Sequence, residues 1–141
     1  MTAIGTLIRL GCVTAAMMAA GCAGGDSGRP SSDNSTPSSP GLVDPETFAS
    51  RIETPGVVTI NVHVPDEGSI AGTDLTIAFD AVAESSELPE DRRTPLAVYC
   101  RSGNMSVAAV DDLEALGFTD IVELDGGFNA WAASGRTLES P

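Results

Sequence analysis

Short blocks of consecutive apolar residues, each closed by turn-forming residues, punctuate the C-terminal hundred positions of this chain. Val57-Val58-Thr59-Ile60-Asn61-Val62 is a nearly continuous β-branched run, and Leu96-Ala97-Val98-Tyr99 and Ile121-Val122-Glu123-Leu124 follow it. Runs this short, without clean polar alternation, predict strands covered on both faces, as in a parallel sheet. Ile77–Phe79 predicts a further short strand. Between the blocks the spacing becomes helical. Asp44-Pro45-Glu46 combines an N-cap, a proline at the first helical position and an acid in the first turn, predicting a helix over 45–52 with Phe48 and Ile52 on one face. Val110, Leu113 and Leu116 form the apolar stripe of a helix over 106–116, opposite Asp111, Asp112 and Glu114, with Gly117 as its C-cap. A short helix is expected near 80–87, and Gly126-Gly127 opens a last one carrying Phe128 and Trp131. Strands alternating with helices imply an α/β domain built on a parallel sheet.

The first forty residues follow a different pattern. Residues 1–21 contain one charge, Arg9, and an apolar stretch from Leu10 to Ala20, short of the roughly 20 residues a spanning helix needs. A basic residue, a short apolar core and the small residues Ala19-Ala20-Gly21 describe a secretory signal peptide. The next residue is Cys22, and the arrangement resembles the lipobox of bacterial lipoproteins, in which that cysteine is acylated; Ala19 stands where leucine is usual. Residues 23–41 are mostly Gly, Ser and Pro, a composition that cannot bury enough apolar surface to fold. The expected organisation is therefore a leader over 1–21, a lipidated Cys22 with a flexible tether over 22–41, and one domain over 42–141. Such a tether reaches roughly 25 Å, holding the domain at the extracytoplasmic face of the cell membrane.

Charge and cysteine usage narrow the function classes. The formal net charge is −13, from 7 basic and 20 acidic residues, which argues against nucleic-acid binding because phosphate contacts require a basic face. Of the three cysteines, Cys12 and Cys22 belong to the leader region, leaving Cys100 alone in the domain. That pattern suits neither a disulfide framework nor a zinc site. It suits an exposed, reactive thiol.

The chemistry concentrates at Tyr99-Cys100-Arg101-Ser102-Gly103-Asn104-Met105-Ser106. Ligands of open α/β sheets bind beyond the carboxyl ends of the strands, where this segment falls. A six-residue loop from Cys100 to Met105, leading into a helix, can turn several N–H groups inward as an anion nest. A cysteine there is expected to have a depressed pKa and to exist partly as thiolate. Gly103 permits the curvature and Arg101 offers fixed positive charge.

Cys100-Arg101-Ser102-Gly103-Asn104-x-Ser106, followed by Leu116-Gly117-Phe118 and Leu124-Asp125-Gly126-Gly127-Phe128 with Trp131 and Gly135, resembles the rhodanese (sulfurtransferase) family. The resemblance runs over roughly 42–136. It implies a five-stranded parallel sheet flanked by helices on both faces, with Cys100 as the catalytic residue carrying sulfur as a persulfide. Arg101, Ser102, Gly103, Asn104, Met105 and Ser106 then form the substrate-binding loop. Cysteine phosphatases of related design require an arginine six positions after the cysteine, and Ser106 occupies that position here. Two departures stand out. Met105 replaces an arginine common in active members, and Asn61-Val62-His63 replaces a first-strand Asp-x-Arg. His63, the one histidine, is a candidate for lining the site, although a strand-end histidine is more often structural. The expected partners are a small sulfur-donor anion or polysulfide and a thiol acceptor, with no cofactor, no metal, no nucleic acid and a monomeric chain. A weakly catalytic module that binds an anion or a protein partner is the alternative.

Overall fold

The computed structural model describes residues 41–141. The leader over 1–21, Cys22 and the tether as far as residue 40 lie outside the described residues. Five parallel strands form one sheet: β1 (Leu42–Val43), β2 (Val58–Asn61), β3 (Leu75–Thr76), β4 (Leu96–Tyr99) and β5 (Ile121–Leu124), in the order β1-β5-β4-β2-β3. Helices α1 (Pro45–Ile52), α2 (Asn104–Ala115) and α3 (Gly127–Ala133), with a 3-10 turn at Val82–Glu84, complete the domain. This is the five-stranded architecture that the resemblance implied. Among the described residues, no helix is long and apolar enough to cross a membrane.

The alternation of side chains along β4 explains how the sheet is covered. Leu96 and Val98 pack with Ile60, Val62, Leu113 and Phe118 on the α2 side, whereas Ala97 and Tyr99 pack with Phe48, Leu124, Phe128 and Trp131 on the α1 and α3 side. All four β4 residues are buried. A central strand covered on both faces reads as an uninterrupted apolar run for this reason. Phe48 meets both Tyr99 and Trp131 edge-on, with centroids 6.1 and 6.3 Å apart. The Tyr99 hydroxyl accepts the Ile70 N–H at 2.9 Å and bonds the Thr73 hydroxyl at 2.7 Å, which ties the irregular segment after β2 to the sheet.

The expected helix over 45–52 is α1, and Asp44 caps it by accepting the N–H groups of Glu46 and Thr47 at 2.9 and 3.0 Å. Other elements differ from expectation. The strand expected at Ile77–Phe79 pairs two residues earlier, at Leu75–Thr76, although the Ile77 and Phe79 N–H groups still bond the Asn61 and Val62 carbonyls. The helix expected over 80–87 is reduced to the turn at Val82–Glu84. No side chain caps its start, and Ser85 is extended, its hydroxyl accepting the Glu87 N–H. Helix α2 begins at Asn104 rather than Ser106, because Gly103 at φ +98° turns the chain directly into the helix.

Candidate active site

Cys100 leaves the carboxyl end of β4, and only Cys100–Gly103 separate that strand from α2. This short connection folds back over the sulfur. The Gly103 N–H donates to Cys100 Sγ at 3.1 Å, and the Ser106 Oγ lies 3.4 Å away. Cys100 is 1% exposed, so the thiol expected to be exposed sits instead on a buried floor beneath its own loop. Burial pushes this thiol up. The Ser106 hydroxyl and the N–H groups of Ser106, Ser102 and Gly103 outweigh that effect and hold it below its ordinary value. Where the sequence predicts an anion nest, the Gly103 N–H just before α2 donates to the sulfur.

The loop residues divide between floor and rim. Ser102 and Asn104 are exposed, while Met105 belongs to the first turn of α2 and packs against the core cluster that contains Cys100. Ser106 is completely buried. Its hydroxyl, besides facing the sulfur, lies 2.6 Å from Glu123 Oε1 and 3.0 Å from the Gly103 carbonyl. Glu123 had no place among the residues expected at the site. A carboxylate within a strand otherwise fit for two-sided burial was the available signal. Glu123 is 8% exposed; burial pushes its carboxyl up, the Ser106 bond opposes this, and Asp125 and Asp111 push it further up.

The rim is charged and paired. Arg101 Nη1 donates to Glu67 Oε1 and Oε2 at 3.1 and 2.9 Å, and Glu67 Oε2 lies 2.7 Å from His63 Nε2. The bond to His63 and the charges of Arg101 and His63 hold the Glu67 carboxyl below the ordinary glutamate range, against the opposing effect of desolvation. Arg101 is therefore paired with a carboxylate through Nη1, although its side chain is 53% exposed. His63 reaches the site through this chain and through its ring, which meets Phe128 edge-on at 5.4 Å. Asp66 and Asp74 are used locally, accepting the N–H groups of Gly68 and Thr59 at 3.1 and 2.8 Å.

Helix α3 fixes the loop from a third side. The Phe128 N–H donates to the Cys100 carbonyl at 2.9 Å and the Asn129 N–H to the Arg101 carbonyl at 3.1 Å. This approach is so close that a Cβ on Gly127, which has φ +58°, would overlap the backbone of Cys100 and Arg101. The Gly126-Gly127 pair is accordingly part of the site's construction. Among the described residues no cluster of His, Cys, Asp or Glu could hold a metal ion.

A parallel α/β sheet that delivers one cysteine to the turn before a helix N-terminus defines the class. The chain belongs to the rhodanese-like family: the model of the rhodanese-like domain matches residues 44–134. A sulfurtransferase of Allochromatium vinosum is 31% identical over 104 residues, covering 70% of this chain and 94% of that protein. The thiosulfate sulfurtransferase GlpE of Pseudomonas savastanoi pv. phaseolicola is 38% identical over 72 residues, 51% of this chain and 60% of the relative. The crystal structure of a rhodanese-related protein from Thermoplasma volcanium superposes with a TM-score of 0.59 at 30% identity, covering 70% of this chain and 96% of that one.

Proposed function

We propose that this domain is a sulfane-sulfur transferase, or sulfur carrier, that works through a persulfide on Cys100. The observation carrying this reading is the sulfur itself, held 3.1 Å from the Gly103 N–H and 3.4 Å from the Ser106 hydroxyl with its acidity raised. The thiolate attacks the sulfane sulfur of a donor, forming a new S–S bond. The donor's own bond to that sulfur breaks, and its remainder leaves with the bonding pair. A second thiolate or cyanide then attacks the outer sulfur and releases Cys100 as thiolate. With no second cysteine among the described residues, that acceptor comes from outside the domain.

The rim favours a donor of low charge. Met105 replaces one guanidinium and Arg101 is paired through Nη1 with Glu67, so a thiosulfate dianion meets less free positive charge at the loop. A charge-assisted hydrogen bond is worth about 1.5–3 kcal/mol, so its loss weakens binding of a dianion by more than tenfold. Slender persulfides and polysulfides also suit a cysteine that is 1% exposed. The test is sulfur loading from thiosulfate and from polysulfide, read as a +32 Da adduct on Cys100 and as thiocyanate formed from cyanide, with Cys100→Ser as control. Equal turnover by the wild type and Cys100→Ser, with no adduct, sinks the reading. Retained anion or partner binding by Cys100→Ser, with no turnover in the wild type, supports the alternative of a binding module, which Met105 in the loop and the divergent Asn61-Val62-His63 segment favour.

The reading includes a location. The apolar stretch ending at Ala19-Ala20-Gly21-Cys22 supports acylation of Cys22 and anchoring at the extracytoplasmic membrane face. Expressed in full, the chain is expected to incorporate labelled palmitate and to partition into detergent. A Cys22→Ser chain that still does both overturns this part.

A further inference from the structure

Three groups meet beneath the loop around one transferable hydrogen. The Ser106 hydroxyl has a single proton and three acceptors within reach: Glu123 Oε1 at 2.6 Å, the Gly103 carbonyl at 3.0 Å and Cys100 Sγ at 3.4 Å. An ionised Glu123 claims that proton through a charge-assisted bond and leaves the sulfur facing a hydroxyl lone pair, an arrangement that suits the thiol. A protonated Glu123 donates instead, and the hydroxyl proton is released toward the sulfur, an arrangement that suits the thiolate or a persulfide.

We propose that Glu123 is a positioning residue which decides, through the hydroxyl proton of Ser106, whether Cys100 keeps its own. When Cys100 ionises, its proton passes to Ser106 Oγ as the Ser106 proton passes to Glu123. Thiol plus carboxylate becomes thiolate plus carboxylic acid, and the hydroxyl is restored. Cys100 and Glu123 then titrate as a pair.

The surroundings of Glu123 oppose its ionisation. On the sheet it lies between Leu42 of β1 and Val98 of β4, neither of which titrates. From α2, Asp111 and Glu114 line the same cleft, about 240 Å³ in volume, which opens beside Glu123 and gives it a route for proton exchange with solvent. Asp125 follows on its own strand, and α1 packs on the opposite face of the sheet with Phe48 against Leu124. Among the described residues, three carboxylates and no cation therefore border Glu123.

The inference rests on Cys100 being the reactive group, not on the donor it meets. It is tested by alkylation, which needs no sulfur donor, so a failed transfer assay and a failed linkage are separate results. The rate of iodoacetamide addition at Cys100, resolved by peptide mass spectrometry on the full chain, is measured against pH. The wild type is expected to rise in two steps. Glu123→Gln is expected to rise in one, with its midpoint about one pH unit below the upper wild-type step. In a Ser106→Ala background, adding Glu123→Gln moves the midpoint far less. An unchanged midpoint in Glu123→Gln, or an equal displacement with and without Ser106, overturns the proposal. Independently of any variant, the Glu123 carboxyl carbon resonance of the wild type is expected to report both steps; a single step overturns it.

Discussion

Two glutamates flank the Cys100 loop, and their environments send them in opposite directions. Glu67 on the rim bonds His63 and Arg101, and its carboxyl lies below the ordinary range. Glu123 on the floor has a hydroxyl as its partner and carboxylates as its neighbours, and its carboxyl lies above that range. The rim carboxylate serves as a permanent charge that occupies Arg101. The floor carboxylate bonds the hydroxyl that faces Cys100 Sγ, and burial opposes its ionisation. One residue type thus has its charge favoured in one place and opposed in the other, and the neighbours decide which.

The strongest disturbance reaches both regions together. Gly127→Ala forces a methyl into the backbone of Cys100 and Arg101 at a positive φ, and is expected to cost about 2–4 kcal/mol in urea unfolding. Ser106→Ala breaks the floor alone. It leaves a buried carboxylate unpaired, and about 1–3 kcal/mol of stability is expected to be lost near neutral pH. Glu123→Gln sharpens the contrast through pH. A carboxyl raised in the folded state supports folding fully below its unfolded pKa, and that support is lost as pH rises through the folded value. Thermal unfolding at several pH values should therefore show the variant gaining on the wild type as pH rises from about 4 toward neutrality. Glu67→Gln changes the rim alone and gives the smallest effect. The expected outcome is an unaltered unfolding midpoint and about a two- to fivefold gain in binding of an anionic donor, measured by calorimetry, as Arg101 is released.

What the sequence revealed of this molecule was mostly local. Strands β4 and β5 and helix α1 have the boundaries expected of them, because apolar runs and an Asp-Pro-Glu start are features of adjacent residues. Strand β1 went unread: two residues, Leu42–Val43, take their identity as a strand from pairing with Glu123 and Leu124 far along the chain. The start of α2 was misplaced because Gly103 caps it by backbone conformation without a side-chain bond. The same division holds at the site. Cys100, Gly103 and Ser106 follow one another at three-residue intervals and were legible from spacing. The Arg101–Glu67 and Ser106–Glu123 pairs join residues 34 and 17 positions apart, and only the folded sheet brings them together.

Strand β1 also has a mechanical consequence. It lies at the edge of the sheet, and its hold on β5 includes the Glu123 N–H on the Gly41 carbonyl at 2.6 Å and the Asp125 N–H on the Val43 carbonyl at 2.8 Å. Tension applied to the chain ahead of Gly41 is borne first by this two-residue clip, whose partner strand carries Glu123. A pull strong enough to peel the clip away would free the Glu123 N–H before disturbing β4, so force at one end of the domain arrives next to the floor of the sulfur site.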